Sequence, residues 1–291
     1  MQENLEVSER RACMAVSQPR STQRYASRRP EEEELLVARM LELVRQHPRY
    51  GYRRIWALLR REGWLVNRKR IHRLWRREGL KVRLKAHKKR RLGSSDNGCA
   101  RRRPERKDHV WAWDFIHDRT SSGGPLKWLS VVDEFTRECL VLEVARSITA
   151  EDVMDQLIQL FRERGTPEYI RSDNGPEFIA QALREWLERA SVGTLYVELG
   201  APWENGYAEA FHGRLRDELL NTEEFASVQE ARALARAWKE DYNRSRPHSA
   251  LGYRTPAEFA AATAWAAPGL GSVALPHPTP MAGETLITLG T

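Results

Sequence analysis

The chain has 291 residues, 41% of them hydrophobic, which is enough for one sizeable core and one or two small modules. Its net charge of +8 is unevenly spread, because residues 1–108 carry 31 basic against 13 acidic side chains and residues 109–291 carry 17 against 27. The basic half favours a nucleic-acid partner, since each cation that neutralises a phosphate releases counterions. A solvated basic surface or a purely electrostatic membrane contact is the alternative explanation.

The cysteines and the hydropathy pattern exclude several classes of protein. Cys13, Cys99 and Cys139 are isolated and lack metal-ligand spacing, which predicts reduced thiols rather than a zinc site. The chain shows no signal peptide and no apolar run near the roughly 18 residues of a membrane span. We therefore expect a cytoplasmic protein that is neither exported nor inserted in a membrane.

The chain opens with a short basic segment, residues 1–28. The stretch from Val7 to Tyr25 has a brief helical pattern, a break at Pro19 and a second basic run. This fits either a small helix-turn-helix or a frayed terminus, because each helix would be very short.

Residues 29–84 have the pattern of three helices. The first begins among acidic residues at Glu31 and ends before Pro48. Its predicted inner face consists of Leu35, Leu36, Met40, Leu43 and Val44. The second helix runs from Tyr52 to Glu62, stops at Gly63, and presents Ile55, Leu58 and Leu59.

The third helix of this region has the character of a recognition helix. Asn67 can cap it, and its inner side is formed by Ile71, Leu74, Trp75 and Glu78. Its opposite side carries five basic or polar residues, which we predict to bind DNA: Arg68, Lys69, His72, Arg73 and Arg76. A structural helix usually intersperses acids to limit repulsion, and a solvated helix is the alternative interpretation.

A basic linker, residues 85–108, leads to a region whose period changes from helix to strand. The segments 110–116, 126–136 and 139–145 predict an antiparallel meander, with the turn Ser-Ser-Gly-Gly-Pro between the first two. The next element is a helix that Thr149 caps and Gly165 ends. After it the sequence predicts a strand (EYIRSD), a helix (178–191), a second strand (TLYVEL) and an amphipathic helix from about 204 to 220. This order predicts an α/β fold, a mixed sheet with helices packed on it.

The C-terminal region is predicted to be one helix, Val228–Tyr242, followed by an irregular extension that reaches residue 262. Pro247 and Pro256 bar regular structure in that extension. Residues 263–291 are rich in Ala, Pro and Gly, which favours a disordered tail.

Two carboxylates in the strand-rich region are candidates for chemistry. Asp114 lies in an apolar strand between Trp113 and Phe115, where an ionised carboxylate is costly unless something binds it; a structural pair with an arginine is the alternative. Asp173 ends a short strand, a position where active-site ligands are often presented, although Ser-Asp-Asn-Gly also fits a simple Asx turn.

A third carboxylate is harder to select from the residues alone, because Glu204, Glu209, Asp217 and Glu218 all lie on one predicted helix. The apolar stripe of Ala208, Phe211, Leu215 and Leu219 fixes the buried side. Glu209 lies on an adjacent face with Asn205, His212 and Arg216. Three such carboxylates suit hard divalent cations, which two-metal enzymes use for in-line phosphodiester displacement.

Several segments resemble the catalytic domain of bacterial insertion-sequence-three family transposases, relatives of retroviral integrases. They are VWAWDFI, VVDEFTRECL, IRSDNGPEF, PWENGYAEAFHGRLRDELL and YNRSRPHSALGYRTPAEF, with 35 residues between Asp173 and Glu209. Residues 49–80 resemble that family's helix-turn-helix. The family often has Cys-Glu-Ser around its glutamate, whereas this chain has Ala208-Glu209-Ala210.

The resemblance implies an RNase H-like mixed five-stranded sheet with flanking helices, preceded by a basic helix-turn-helix region, with the catalytic core at residues 109–225. It implies that Asp114, Asp173 and Glu209 hold two Mg²⁺ or Mn²⁺ ions, and that Asn174, Asn205, His212 and Arg216 support them or contact DNA. It further implies action on terminal repeats and target DNA, a homo-oligomer on DNA, nucleoid association, and fusion or cooperation with a protein from an upstream reading frame.

Two alternatives to a transposase remain at this point. A structure-selective nuclease on the same fold would hydrolyse strands and never join them. A DNA-binding regulator or inactive remnant would keep the fold without the chemistry, and the presence of all three carboxylates argues against it.

Overall fold

The computed structural model describes residues 7–24, 31–82, 102–172, 181–196 and 206–264. The chain divides into two compact units, residues 1–91 and residues 92–291. Within the described ranges, no helix has both the length and the apolar character needed to cross a membrane.

The first unit is entirely helical in its described parts. Two short helices, α1 (Glu9–Ala15) and α2 (Arg20–Gln23), stand on either side of the predicted break at Pro19, and Glu9 pairs with Arg24 at 2.8 Å between Oε1 and Nε. Three further helices follow: α3 (Glu31–Gln46), α4 (Tyr52–Arg61) and α5 (Arg68–Arg77). Their apolar faces share one core built around Leu36, Met40, Ile55, Leu59, Ile71 and Leu74.

The inner face of α3 differs in part from the predicted one. Leu36, Met40 and Leu43 are buried as predicted, but Leu35 is 64% exposed and Glu33 is buried. Residues 33, 36, 40 and 43 are separated by steps of three and four, so they share one stripe, whereas Leu35 is rotated away from it. The buried acid is tolerated because cations from α5 surround it.

The second unit contains a five-stranded mixed sheet. Its first three strands are β1 (Val110–Arg119), β2 (Pro125–Asp133) and β3 (Cys139–Ala145), which pair antiparallel in sequence as the predicted meander. The strands β4 (Tyr169–Ser172) and β5 (Gly193–Tyr196) add to the other side of β1 in parallel. The resulting order is β3-β2-β1-β4-β5, which confirms the predicted mixed sheet of five strands.

One face of the sheet is covered by α6 (Ala150–Arg164) and α7 (Gln181–Arg189). The start of α6 is fixed as predicted, because Thr149 and Asp152 form a reciprocal capping box, and Gly165 ends the helix at φ 88°. Trp111, Trp113 and Leu129 point to this side and pack with Leu157 and Leu187 in one core.

The other face packs against α8 (Gly206–Leu215), a π-helical turn (Arg216–Leu220) and α9 (Val228–Arg244). Ile116, Trp128 and Val144 form the core there with the helices. The predicted stripe of α8 and the π turn is buried: Ala208, Phe211, Leu215 and Leu219.

The C-terminal extension is more regular than predicted. A 3-10 turn (Ser249–Leu251) and a helix α10 (Pro256–Ala264) follow α9. Pro256 does not bar structure, because a proline at the first helical position has no amide that needs a partner. Residues 263 and 264, predicted to begin the disordered tail, belong to α10, and residues 265–291 lie outside the described ones.

Side chains of α9 bond to the backbone of the edge strand β3. The Asn243 amide accepts from the Cys139 N–H at 2.8 Å and donates to the Cys139 carbonyl at 2.9 Å. Lys239 donates to the Leu140 carbonyl and Arg232 to the Val144 carbonyl. The helix therefore satisfies groups that an edge strand would otherwise expose.

Candidate active site and recognition helix

Asp114 lies in the middle of β1, on the sheet face that packs against α8. Its side chain keeps 20% exposure, so its burial is less complete than the apolar sequence around it predicts. One carboxylate oxygen, Oδ1, accepts the Phe115 N–H at 2.7 Å. The other, Oδ2, lies 3.5 Å from His212 Nδ1 of α8. Both oxygens therefore have a defined neighbour, which fixes the carboxylate orientation.

His212 links Asp114 to a buried hydroxyl on the next strand. Its Nε2 lies 2.8 Å from Ser130 Oγ, and Ser130 pairs directly with Asp114 across the β1–β2 hairpin. Burial first, and the charge of Arg216 second, lower the pKa of His212 to about 4, so the ring is neutral at neutral pH. Ser130 Oγ also donates to the Asp114 carbonyl at 3.2 Å, so the serine contacts both the strand backbone and the ring, and the tautomer of His212 decides which ring nitrogen donates.

Glu209 is positioned by the first turns of α8. Ala208 and Phe211 on either side of it are buried, while Glu209 itself is exposed. It precedes His212 by three residues, which places the two on one side of the helix, about 5–6 Å apart at Cβ. His212 contacts Asp114, so α8 packs against the sheet face that carries Asp114, and Glu209 lies one turn before that contact. Arg216, seven residues after Glu209, is exposed as well.

Three of the predicted site residues, Asp173, Asn174 and Asn205, lie outside the described residues. The strand β4, which directly precedes Asp173 in sequence, is held on β1 in the register Ala112 to Arg171. The Arg171 guanidinium donates to Glu134 at 2.8 Å, and both side chains are buried. This ion pair ties the end of β4 to the turn after β2.

The turn after β2 is held by a second set of buried charges. Asp133 is fully buried and accepts N–H bonds from Phe135, Thr136 and Asp108. Burial raises the pKa of Asp133 to about 6, against the lowering effect of these bonds. Arg164 donates to Asp108 at 2.6 Å and also contacts Glu138. The segment VVDEFTRECL is therefore a structural support for β1 and β4.

Within the described residues, no three His, Cys, Asp or Glu side chains form a cluster that could hold a metal ion. Those residues include Asp114 and Glu209, two of the three predicted ligands, but not Asp173. The described cysteines, Cys13 and Cys139, are free and buried.

In the helical unit, α5 has the features predicted for a recognition helix. Asn67 caps it by accepting the Lys69 N–H at 2.8 Å. The five predicted DNA-binding residues are all exposed: Arg68, Lys69, His72, Arg73 and Arg76. Two of them also have intramolecular contacts, since the His72 ring lies 4.4 Å from that of Tyr52 and Arg73 bonds to Glu33.

Glu33 of α3 orients the guanidinium groups of α5. It accepts from Arg77 at 2.6 Å and from Arg73 at 2.8 Å, with Arg70 at 3.4 Å. The hydrogen bond from Arg77 lowers the pKa of Glu33 below 4.5, and Arg73 adds to the effect. Because Arg73 stays 63% exposed, Glu33 fixes it without removing it from the surface.

The sequence did not single out Ser130 or the role of Glu218. Ser130 is a lone hydroxyl in an apolar run, and only the hairpin register reveals its contact with His212. Helical spacing left the place of Glu218 open, and the structure buries its side chain against Arg246. The π-helical turn changes the side-chain direction there, so α-helical spacing does not predict it.

Comparison with family models agrees with this division of the chain. Residues 104–196 and residues 190–256 match two models that are both described as an integrase core domain. Residues 30–90 match a model described as an HTH-like domain.

The chain is also similar to proteins encoded by bacterial insertion elements. It is 41% identical over 261 residues to the uncharacterized 31.7 kDa protein of insertion element IS407 from Burkholderia multivorans, covering 90% of this chain and 93% of that protein. It is 39% identical to the 39.2 kDa protein of IS476 from Xanthomonas euvesicatoria, covering 90% and 75%. Identity to the transposase InsD of insertion element IS2 from Escherichia coli is 29%, covering 80% of each chain.

Among solved structures, the catalytic core domain of HTLV-2 integrase in complex with magnesium is similar over 54% of this chain and 99% of that chain, with 19% identity and a TM-score of 0.43. A simian T-cell lymphotropic virus intasome aligns over 62% and 63%, with a TM-score of 0.46. The sheet order, the two integrase-core matches and the insertion-element relatives together identify the chain as a member of the insertion-sequence-three family of transposases, DDE enzymes that cleave and join DNA strands.

Proposed function

We propose that Asp114, Asp173 and Glu209 are the catalytic carboxylates of this transposase and hold divalent metal, two Mg²⁺ or Mn²⁺ ions, beside the middle of β1. The observation that carries the proposal is the convergence of α8 on Asp114, through the 3.5 Å approach of His212 Nδ1 to Asp114 Oδ2. That contact places the helix of Glu209 beside the strand of Asp114. Asp173 follows β4, which pairs with β1.

The donor set fits hard divalent cations. Mg²⁺ and Mn²⁺ prefer carboxylate oxygens and retain positions for water and phosphate oxygens. The Asp114 carboxylate is partly exposed and Glu209 is exposed, so both are accessible to an ion and to DNA. When bound, the ions would activate the attacking oxygen and stabilise the leaving oxygen of an in-line displacement.

The protein's own residues orient and support this site. The Phe115 N–H fixes Asp114 Oδ1, and His212, braced by Ser130, faces Oδ2. Such neighbours hold a metal-binding carboxylate in one rotamer before the substrate arrives. Arg216, exposed at the start of the π-helical turn that continues α8, would contact the DNA backbone, and Asn174 and Asn205 remain candidates for a supporting role.

A cleavage assay tests the catalytic assignment. Duplexes that carry the element's terminal repeats would be incubated with Mg²⁺ and with Asp114→Asn, Asp173→Asn or Glu209→Gln variants. Each change is expected to lower the rate about 10³-fold or more, because a lost ligand removes several kcal/mol of transition-state stabilisation. Glu224→Gln, an exposed carboxylate downstream of α8, serves as the matched control and should cleave normally. Wild-type rates in any of the three variants would refute its assignment.

We propose further that α5 binds DNA through Arg68, Lys69, His72, Arg73 and Arg76. The support is their joint exposure on a capped helix whose other side is fully packed. The DNA substrates would be the element's terminal repeats and the target DNA. The protein would bind them at the nucleoid as a homo-oligomer, either alone or together with a protein from an upstream reading frame.

A salt titration tests the role of α5. Replacing Arg68, Lys69 and Arg76 by glutamine should lower the slope of log affinity against log salt by about 3, since each phosphate contact contributes about 0.9. The matched control replaces three exposed arginines of the other unit, Arg162, Arg236 and Arg244. Equal slope losses in both triple variants would show that α5 has no special part in binding.

A further inference from the structure

The segment after α9 contains a buried ion pair that the proposed mechanism does not use. Arg246 donates to Glu218 through Nε at 2.7 Å and through Nη2 at 2.6 Å, which is a bidentate contact. The two side chains are only 2% and 8% exposed. Charges buried to this extent are kept in place by each other, since either one alone would be strongly unfavourable.

The pair is connected to α8 by a chain of ring contacts. Arg246 Nη1 lies 3.0 Å from His248 Nε2, and the His248 ring meets the Tyr242 ring edge-on at 4.9 Å. Tyr242 in turn meets Phe211 edge-on at 5.2 Å. Phe211 lies in α8 between Glu209 and His212. The contacts therefore lead from the C-terminal segment directly to the helix turn that carries the site residues.

Glu218 makes a second connection to the same helix through the backbone. It occupies the middle of the π-helical turn that continues α8 from Arg216 to Leu220. Such turns are rare and geometrically poorer than α-helix, and they occur often beside functional sites. The two charge-assisted hydrogen bonds from Arg246 to Glu218 hold this turn against the segment that follows α9.

We propose that Glu218, Arg246 and His248 are positioning residues that hold α8, and with it Glu209 and His212, against Asp114. The proposal rests on the assignment of these carboxylates as the metal site. It gives the segment YNRSRPHSALGYR a role in the active site that acts through Glu218 and Tyr242 rather than through direct contact with the metal ligands. A pair that only stabilises the fold would leave the metal affinity of the folded chain unchanged.

The test uses the full chain with Glu218→Gln, at a temperature below its unfolding transition. Mn²⁺ binding to the DNA-free protein, followed by electron paramagnetic resonance, is expected to weaken about tenfold, and the Mg²⁺ concentration that half-saturates cleavage to rise by the same factor. Hydrogen exchange should quicken in residues 206–215 and stay unchanged in β1 and β2.

Leu157→Ala is the matched control, because Leu157 is fully buried on the opposite face of the sheet and its loss destabilises the same unit. Its metal affinity is expected to stay at the wild-type value. An equal loss of affinity in Leu157→Ala, or wild-type affinity in folded Glu218→Gln, would overturn the positioning role. If Glu218→Gln does not fold, His248→Gln, which keeps the ion pair and removes the ring contact, must show the affinity loss instead.

Failure of the underlying site assignment gives a different result. Mn²⁺ would then bind equally well to the wild-type chain and to Asp114→Asn. That outcome overturns the metal site and this inference together. If Asp114→Asn loses tight Mn²⁺ binding while Glu218→Gln keeps it, the metal site stands and only the positioning role is overturned.

Discussion

At the scale of single residues, the orientation of Asp114 depends on two neighbours that carry no charge at neutral pH. The Phe115 N–H holds Oδ1, and the neutral His212 ring faces Oδ2 while Ser130 braces it from behind. A neutral donor orients a carboxylate without cancelling its charge, so the negative charge stays available to a cation. An arginine in the same place would compete with the metal for the oxygen.

His212→Ala is expected to lower the rate of strand cleavage by about 10- to 100-fold, the usual cost of removing a group that supports a metal ligand. His212→Asn, which keeps a donor and an acceptor, should recover part of the loss. The measurement is the initial cleavage rate against Mg²⁺ concentration. An alanine variant as active as the wild type would mean that Asp114 needs no support from α8.

Glu33 gives a prediction about pH in the helical unit. Arg77 and, less strongly, Arg73 lower the pKa of Glu33 in the folded state. The carboxylate therefore stabilises the folded helical unit above about pH 4.5, and this stabilisation is lost as the pH falls through the lowered pKa of the folded state. Glu33→Gln should cost about 2 kcal/mol at neutral pH and flatten the acid dependence. Hydrogen exchange of α3 and α5 amides, corrected for intrinsic rates, measures both effects. An unchanged acid dependence in the variant would contradict this role.

The sequence predicted single residues well where a pattern recurs and poorly where a contact spans the chain. Asn67, Thr149 and Gly165 followed from capping chemistry. The roles of Glu209 and His212 come from family spacing and helical period, and they stay predictions. The burial of Glu33 depends on arginines about forty residues later. No local pattern predicts such a pair, because the cost of burying the acid is visible only once its partners are in place.

At the scale of elements, side chains of α9 bond to the backbone groups of the edge strand β3 that a further strand would otherwise pair with. Asn243 reproduces the paired donor and acceptor of a neighbouring strand residue, and Lys239 and Arg232 take two more carbonyls of β3. An edge closed in this way is a poor template for pairing with another chain. Oligomer formation through the β3 edge is therefore disfavoured.

Asn243→Ala is expected to destabilise the second unit by about 1–3 kcal/mol, because it leaves the N–H and carbonyl of Cys139 without their partner. Urea titration of the full chain measures the change. Glu240→Ala, which removes an exposed pair with Arg244 on the same helix, should cost less than about 0.5 kcal/mol. Equal losses in the two variants would show that the edge contacts contribute nothing beyond helix formation.

The order of elements could be predicted because each has its own period and end signals, while two departures have physical causes. Pro256 begins α10 instead of ending structure, since its position in a helix decides its effect. The π turn at Arg216–Leu220 is absent from the prediction because it is stabilised by a partner in the C-terminal segment. The sequence of α8 alone favours a continuous α-helix.

At the scale of the whole molecule, the uneven charge distribution separates a DNA-binding region from the region proposed for catalysis. The helical unit, residues 1–91, lies in the basic half, and the sheet lies in the acidic half that carries the proposed catalytic carboxylates. A basic region gains DNA affinity without selecting a reaction, whereas acidic ligands select a cation and hence the chemistry. Composition alone predicted a basic half with a nucleic-acid partner, whereas the catalytic role of the acidic half came from the motifs and the family resemblance.

The most direct test of the catalytic triad supplies pre-cut element ends with free 3′-hydroxyls, target DNA and Mg²⁺, and measures the joined product on a denaturing gel. The wild-type chain is expected to join the strands, while Asp114→Asn, Asp173→Asn and Glu209→Gln bind the ends with normal affinity and yield no joined product. Joining by any of these variants, or hydrolysis without joining by the wild type, would contradict the central claim that these three carboxylates catalyse strand transfer.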